Sequence, residues 1–421
     1  MKLKCLLGGC SLLFLTPGHA LTLTEAVIKA LEFNPTVKSL EASVDMGEAR
    51  LDQSYADYHP KLSYQLERGL TRSTDKDWRD KIKSSVILSQ VVYDFGRISN
   101  QVDARKHKLN VSRQTLNDGR EKLALLTTKT FLEILKLEQV IGHVKENIVF
   151  YKRFLGILET REAAGASGKS DVQRLTSLGQ NAELELIQYK TDLTFARKTF
   201  KSLTGIEPDN LIMPMLDDLV IKHTQDELVE FAVTRSYQVQ AMHSAIESAK
   251  EERDKARADL YPTFKMKLEV NRENSLDTSE KWKTTEAGTV TMSYDLWDGF
   301  KTRRKIDETN AKVMQADYRM REATLSLEKK VQESYSSMMK LLDEKMVNDE
   351  ALKTNQEIVD LYYKEFELGE KTLLDITTAQ GDYHNSRVQS AVFQFDFYKS
   401  ILDIRFFMND VINTIRTLED S

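Results

Sequence analysis

The sequence predicts an α+β membrane protein, a duplicated unit of long coiled-coil helices and β-hairpins. Three observations carry this. The 421 residues include only 6 prolines and 17 glycines, too few for the loops of two or three ordinary domains, so long helices are implied. Short landmarks recur in the same order in the two halves of the chain. Between those landmarks the apolar period changes from helical to alternating, which is the signature of strands.

Residues 1–20, MKLKCLLGGCSLLFLTPGHA, place Lys2 and Lys4 before an apolar run from Cys5 to Leu15, then Pro17 and the small Gly18 and Ala20. That is the pattern of a secretory signal peptide, with the mature chain starting at Leu21. The LGGC ending at Cys10 is a rival lipidation pattern, but the apolar run continues past it. Both cysteines lie in this segment, so a chain cut after Ala20 has no thiol for a disulfide, catalysis or metal binding. The formal net charge of −5 argues against a nucleic-acid partner. No later stretch approaches the run of about 18 apolar residues that a spanning helix needs. An exported chain of this kind is periplasmic, secreted, or built into an outer membrane by strands.

A first repeat is expected over 21–204, a linker over 205–225 and a second repeat over 226–421. The ADYHP of 56–60 recurs as ADLYP at 258–262, and the VYDFGR of 92–97 as LWDGFK at 296–301. Pro60 and Pro262 thus mark the strand starts, Asp94 and Asp298 the strand exits. In the second copy, Phe264, Met266, Leu268 and Val270 alternate with Lys265, Lys267, Glu269 and Asn271, and Val290, Met292, Tyr294 and Leu296 alternate with polar residues. In the first, Leu62, Tyr64 and Leu66 alternate with Ser63, Gln65 and Glu67, while Val86, Ile87 and Leu88 run together. Hairpins are therefore expected over 61–94 and 263–296, with Trp78 and Trp282 in matching polar connectors. Strands with one apolar and one polar face fit a barrel wall in outer-membrane lipid.

After each hairpin a helix is expected without interruption, over 97–164 and 301–368, roughly 100 Å each at 1.5 Å per residue. Every seventh residue gives Val102, Leu109, Leu116, Leu123, Thr130, Leu137, Val144, Tyr151 and Leu158 in the first copy. The second copy gives Ile306, Val313, Met320, Leu327, Ser334, Leu341, Asn348, Asn355 and Tyr362. A second stripe, Ile134, Ile141, Ile148 and Leu155, completes coiled-coil spacing in the distal half of the first helix. The helices end in matched turns, GASGKSDVQRLT at 165–176 and GEKTLLDITTAQ at 369–380, pairing Gly165 with Gly369 and Asp171 with Asp375. Glycine supplies a left-handed helix end, and an acidic residue favours the start of the returning helix. On that ground alone Asp171 reads equally well as a helix-cap residue.

Four strands cannot close a sheet, and an open edge in hydrocarbon leaves backbone groups unpaired, so strands must come from identical neighbours. A dimer would supply eight strands and a trimer twelve; periodicity does not choose between them. Taken together, the duplication, the NPTV of 34–37, the strand starts and exits and the paired turns resemble the TolC-like outer-membrane channel-tunnel family across residues 21–421. The resemblance implies a homotrimer with a twelve-stranded transmembrane barrel and a periplasmic α-helical barrel. It also implies a periplasmic adaptor and an inner-membrane ABC or proton-driven transporter as partners. Type I protein secretion is the expected use; small-molecule efflux and a structural periplasmic coiled coil are the alternatives.

Carried over by position, the resemblance makes Asp375 the first aspartate of a periplasmic gate ring and puts Thr378 where a second would stand. It makes Lys371 a basic link to the neighbouring hairpin and Asp171 its acidic partner, with Phe366 in place of a tyrosine. An enzyme is not expected. His59, His107, His143, His223, His243 and His384 are scattered without metal-ligand spacing, and no GxSxG, HExxH or Walker motif occurs. No metal or other cofactor is expected.

Overall fold

The computed structural model describes residues 21–72, 78–215, 221, 223–275 and 281–420. The expected signal peptide, 1–20, lies outside them, as do parts of the two strand connectors and of the linker. Among the described residues no helix is long and apolar enough to cross a membrane. In chain order the elements are α1 (Leu23–Phe33), α2 (Pro35–Tyr55), β1 (Lys61–Thr71), β2 (Arg79–Tyr93), α3 (Arg97–Ala163), α4 (Lys169–Thr204), α5 (Gln225–Arg235), α6 (Tyr237–Ala258), β3 (Thr263–Ser275), β4 (Lys283–Ser293), α7 (Lys301–Glu367), α8 (Leu373–Phe407) and α9 (Val411–Asp420). The series α2-β1-β2-α3-α4 is repeated as α6-β3-β4-α7-α8. The chain divides into two compact units, one of Pro35–Gly119 and Val229–Lys330, the other holding the remainder.

The first of these units contains the sheet. Its four strands run β1-β2-β3-β4, every neighbouring pair antiparallel, so β1 and β4 are edges. The last strand differs from its expected extent. β4 stops at Ser293, and Tyr294 and Leu296, which continue the alternation, lie beyond it. The cause is on the partner strand: Ser293 pairs with Thr263, and the next residue back is Pro262, which has no N–H to donate.

The second unit is helical and holds the main apolar core. α1 opens on a capping box in which the Thr22 hydroxyl accepts from Glu25 N (3.3 Å) and the Glu25 carboxylate accepts from Thr22 N (3.2 Å). Just before it, Leu21 forms a parallel bridge with Leu211. Its apolar face joins Phe131, Ile134, Phe200, Val411 and Ile415 in one cluster. The buried Glu121 carboxylate accepts from the backbone of Val411 (3.0 Å) and Ile412 (3.3 Å), satisfying the start of α9. A further cluster joins Val144, Ile148, Tyr151, Phe154 and Leu158 to Leu175 of α4, Phe366 of α7 and Ile376 of α8.

The two long helices use their heptads differently. All nine residues of the first-copy stripe, Val102 to Leu158, are buried. In the second copy only Leu327 of the corresponding stripe is buried. The seam of α7 moves by four residues to Val331, Met338, Val359 and Phe366, which are buried at heptad spacing. The vacated line is polar where it matters: Asn348 donates to Ser386 O (3.0 Å) and Asn355 to Ser386 Oγ (2.7 Å) on α8. Asparagines at those positions fit a helix boundary with hydrogen-bond acceptors better than a dry core.

Phe154, 1 % exposed, meets Phe150 at 5.1 Å and Phe366 at 5.1 Å between ring centroids. Phe154→Ala should lower stability by about 3–5 kcal/mol through lost burial and a residual cavity, read as a reduced thermal unfolding midpoint in detergent.

Candidate functional site

The two hairpin tips, both in the helical unit, share one backbone solution for leaving a helix and differ in how the next begins. At the first tip Gly165 has φ +73°, Ala166 N donates to Arg161 O (2.8 Å) and Gly165 N to Glu162 O (2.8 Å). At the second, Gly369 has φ +84°, Glu370 N donates to Glu365 O (2.9 Å) and Gly369 N to Phe366 O (3.2 Å). Both are Schellman closures, and both glycines are needed for their positive φ.

The returning helices start unequally. α8 has Thr372 as its N-cap: the Thr372 hydroxyl accepts from Asp375 N (3.3 Å), while the Asp375 Oδ2 accepts from Thr372 N (2.9 Å) and Thr372 Oγ1 (2.7 Å). The Thr372 backbone N–H, then its hydroxyl, hold the Asp375 carboxyl below its ordinary range. α4 begins at Gly168, which has no side-chain cap, and Asp171 takes only a 3.4 Å contact from Ser167 Oγ. The local capping role that the sequence offered to Asp171 is thus filled at Asp375. Thr378 is exposed, one turn further along α8.

Lys371 and Asp171 are not brought together within the chain. Lys371 Nζ lies 4.0 Å from Glu365 Oε2 and 4.3 Å from the centroid of the Tyr362 ring. Phe366 is buried against Phe154, with the Arg161 guanidinium 4.7 Å from its ring centroid.

Sequence spacing gave no sign of the polar rungs that join α8 to its neighbours just beyond the tip. Gln380 donates to Asn147 Oδ1 (2.9 Å), His384 Nε2 lies 3.1 Å from Glu185, and Arg387 reaches both Glu146 (2.5 Å) and His143 Nδ1 (2.8 Å). The partners are more than 190 positions apart, so no local motif could reveal them. Among the described residues no group of three or more His, Cys, Asp or Glu is placed to hold a metal.

At the strand exits, Asp94 and Asp298 act as helix caps. Asp94 accepts from Gly96 N (3.2 Å) and Ile98 N (2.8 Å), and Asp298 from Thr302 N (2.8 Å). Each is followed by two left-handed residues, Phe95 and Gly96 in the first copy, Gly299 and Phe300 in the second. A phenylalanine there costs about 1–3 kcal/mol. Phe95 is held by stacking on Tyr261 (4.9 Å) and edge contact with Tyr93 (4.7 Å).

The sheet has two unlike faces. The register aligns Leu62, Leu88 and Leu268 in one row and Tyr64, Val86 and Val270 in the next, with Met266 beside Val290 and Phe264 beside Met292 on the same side. Leu62, Tyr64, Val86, Leu268, Val270 and Val290 are all exposed. From Phe264 to Val270 this band spans about 20 Å along the strand. Exposed aromatics flank it: Trp297 (79 % exposed), Phe300, Tyr93 and Tyr261 at the helix end, Trp78 and Trp282 at the other. The opposite face is polar, carrying Lys61, Lys83, Lys267, Glu269 and Asn271. Pro60 and Pro262 immediately precede β1 and β3, where the chain leaves a helical segment.

Comparison with known proteins agrees with this geometry. The family model described as Outer membrane efflux protein matches residues 26–206 and 228–406. The chain is 20 % identical to Outer membrane efflux protein BepC of Brucella suis over 86 % of this chain and 79 % of that protein. It is 21 % identical to Protein CyaE of Bordetella pertussis over 76 % and 69 % respectively. Among solved structures, CusC superposes with a TM-score of 0.83 at 12 % identity, covering 92 % of this chain and 91 % of CusC. The outer membrane protein VceC of Vibrio cholerae superposes at 0.80 and 14 % identity, covering 92 % and 96 %.

The rung at His143 is pH-sensitive. Arginine only donates, so His143 Nδ1 must accept from Arg387 and therefore be unprotonated. Burial first, then the Arg387 charge, hold the ring below the ordinary histidine range, against Glu146, while His384 adds to the lowering. A depressed histidine contributes stability that is present above its unfolded pKa of about 6.5 and lost as pH falls through the folded value. The thermal midpoint should accordingly drop between about pH 7.5 and pH 5, and His143→Gln should flatten that dependence.

Proposed function

The chain belongs to the outer membrane efflux protein family, and from that premise we propose that it is the outer-membrane exit duct of a tripartite export system. As a family member it is a Gram-negative outer-membrane transport protein and not an enzyme. The observation that carries the duct reading is the sheet: four strands with an exposed apolar face, a polar face and two unpaired edges. Hydrocarbon does not tolerate such edges. Three copies would complete a twelve-stranded barrel, with the apolar band in lipid, the aromatics at its two borders and the polar face lining a lumen.

In this reading the long helices form a periplasmic barrel that receives an adaptor and an inner-membrane ABC or proton-driven transporter. Repeats over 21–204 and 226–421, joined through 205–225, supply two hairpin tips per subunit. Type I protein secretion ranks first on the general resemblance. Small-molecule efflux is the second reading, favoured by the description of BepC as an efflux protein. Deleting the protein and measuring secreted proteins and drug susceptibility in parallel separates them. Loss of a secreted protein with unchanged susceptibility is the expected result; the reverse outcome selects small-molecule efflux.

The tips supply the gate in the same proposal. Both cap bonds of Asp375 fall on Oδ2, so its Oδ1 remains to face ions at a threefold axis. The 4.0 Å contact of Lys371 with Glu365 is long enough to be exchanged for Asp171 of an adjacent hairpin. A single exposed ion pair contributes only about 0–1 kcal/mol, so a latch of this kind opens easily. Lys371→Glu should raise the single-channel conductance in planar bilayers, and unchanged conductance would remove Lys371 from the gate.

A further inference from the structure

The polar face of the sheet is not evenly charged from end to end. Far from the helices, the register places Glu67, Lys83, Glu273 and Lys283 side by side across all four strands, alternating in sign, so this row is balanced. Nearer the helices the balance is lost. Lys61 and Lys267 share a row with Ser89 and Thr289, and Lys265 lies in the next row between Val91 and Thr291.

The acid among these rows is already committed. Glu269, with 17 % of its side chain exposed, is bound by Lys267 at 2.5 Å and approached by Lys83 at 4.0 Å. Of the acids in the adjoining segments, Asp259 pairs with Arg97 (2.9 Å), Asp57 accepts from Gln101 (3.0 Å), and Asp94 and Asp298 cap helix starts. Among the described residues, neither Lys61 nor Lys265 takes part in an ion pair. The duplication supplies an internal comparison, because Ser63 and Gln65 hold the first-copy places of Lys265 and Lys267. Strand pairing at those places therefore does not require a lysine.

We propose that Lys61 and Lys265, which have no acidic partner among the described residues, form an anion-attracting collar at the helix end of the barrel lumen, biasing the duct toward anionic solutes. The inference rests on the barrel reading above. Fixed charges on a wall of low-dielectric protein and lipid focus their field into the lumen, where they raise the local concentration of counter-ions.

The test is the reversal potential of the full-length protein in planar bilayers under a KCl gradient. Lys265→Gln and Lys61→Gln should each lower the chloride-to-potassium permeability ratio, together by about twofold or more. Lys265→Glu should lower it further, and Lys283→Gln, from the balanced row, should move it less. An unchanged ratio in conducting Lys265→Gln pores overturns the collar, as does an equal shift from Lys283→Gln. Absence of any conductance from the parent protein overturns the duct reading itself, and the collar with it.

Discussion

The backbone hydrogen bonds that β1 and β4 leave unmade constrain everything else in this protein. Each edge strand is 11 residues long, and water alone can satisfy its outward N–H and C=O groups while the subunit is by itself. Lipid cannot. A subunit with an exposed apolar face and two such edges is therefore unsuited both to solution and to membrane. Burying the apolar face and pairing the edges are parts of one step, so membrane insertion and subunit assembly are coupled in the proposed trimer. The clusters around Phe131 and Phe154 are buried within the single subunit and do not depend on that step.

Duplication gave the chain two copies of every element, and the copies have been put to different uses. α3 buries its whole heptad stripe within the subunit, as a central helix should. α7 buries a line four residues away and leaves the corresponding stripe half exposed, with asparagines bonded to the α8 backbone and hydroxyl. In the proposed trimer, the partly buried stripe of this 67-residue helix is the surface left to a neighbouring subunit. The tips diverge similarly: one returning helix is closed by a Thr372–Asp375 box and the other starts on an uncapped glycine.

Much of the fold was legible because its strongest signals are periodic. The helix over 97–164 ends at Ala163, and the hairpin starts at 61 and 263 coincide with β1 and β3. What the pattern could not supply were terminations set by a partner. Alternation runs on to Leu296, yet β4 stops opposite the residue that follows Pro262, which only the register reveals. In α7, Val331, Met338, Val359 and Phe366 were equally readable as a heptad, but two apolar lines competed and only packing chose. At the candidate site, the Gly/Asp pairing at six residues falls on two turns whose glycines have positive φ, and it is too coarse to assign roles. Thr372, one residue before α8, is the N-cap whose box Asp375 completes, and the first copy has Gly168 in that place. The rungs of Gln380, His384 and Arg387 are invisible in sequence because their partners lie on other helices.

The junction after each hairpin is the least economical part of the backbone, two successive left-handed residues of which one is phenylalanine. The order is reversed between copies, Phe-Gly in one and Gly-Phe in the other, while the backbone is the same. It is the shape of the turn, and not the place of its glycine, that both copies retain. That shape sets the direction in which each long helix starts. Strain stored in two residues thus acts as an aiming device for the helix that follows.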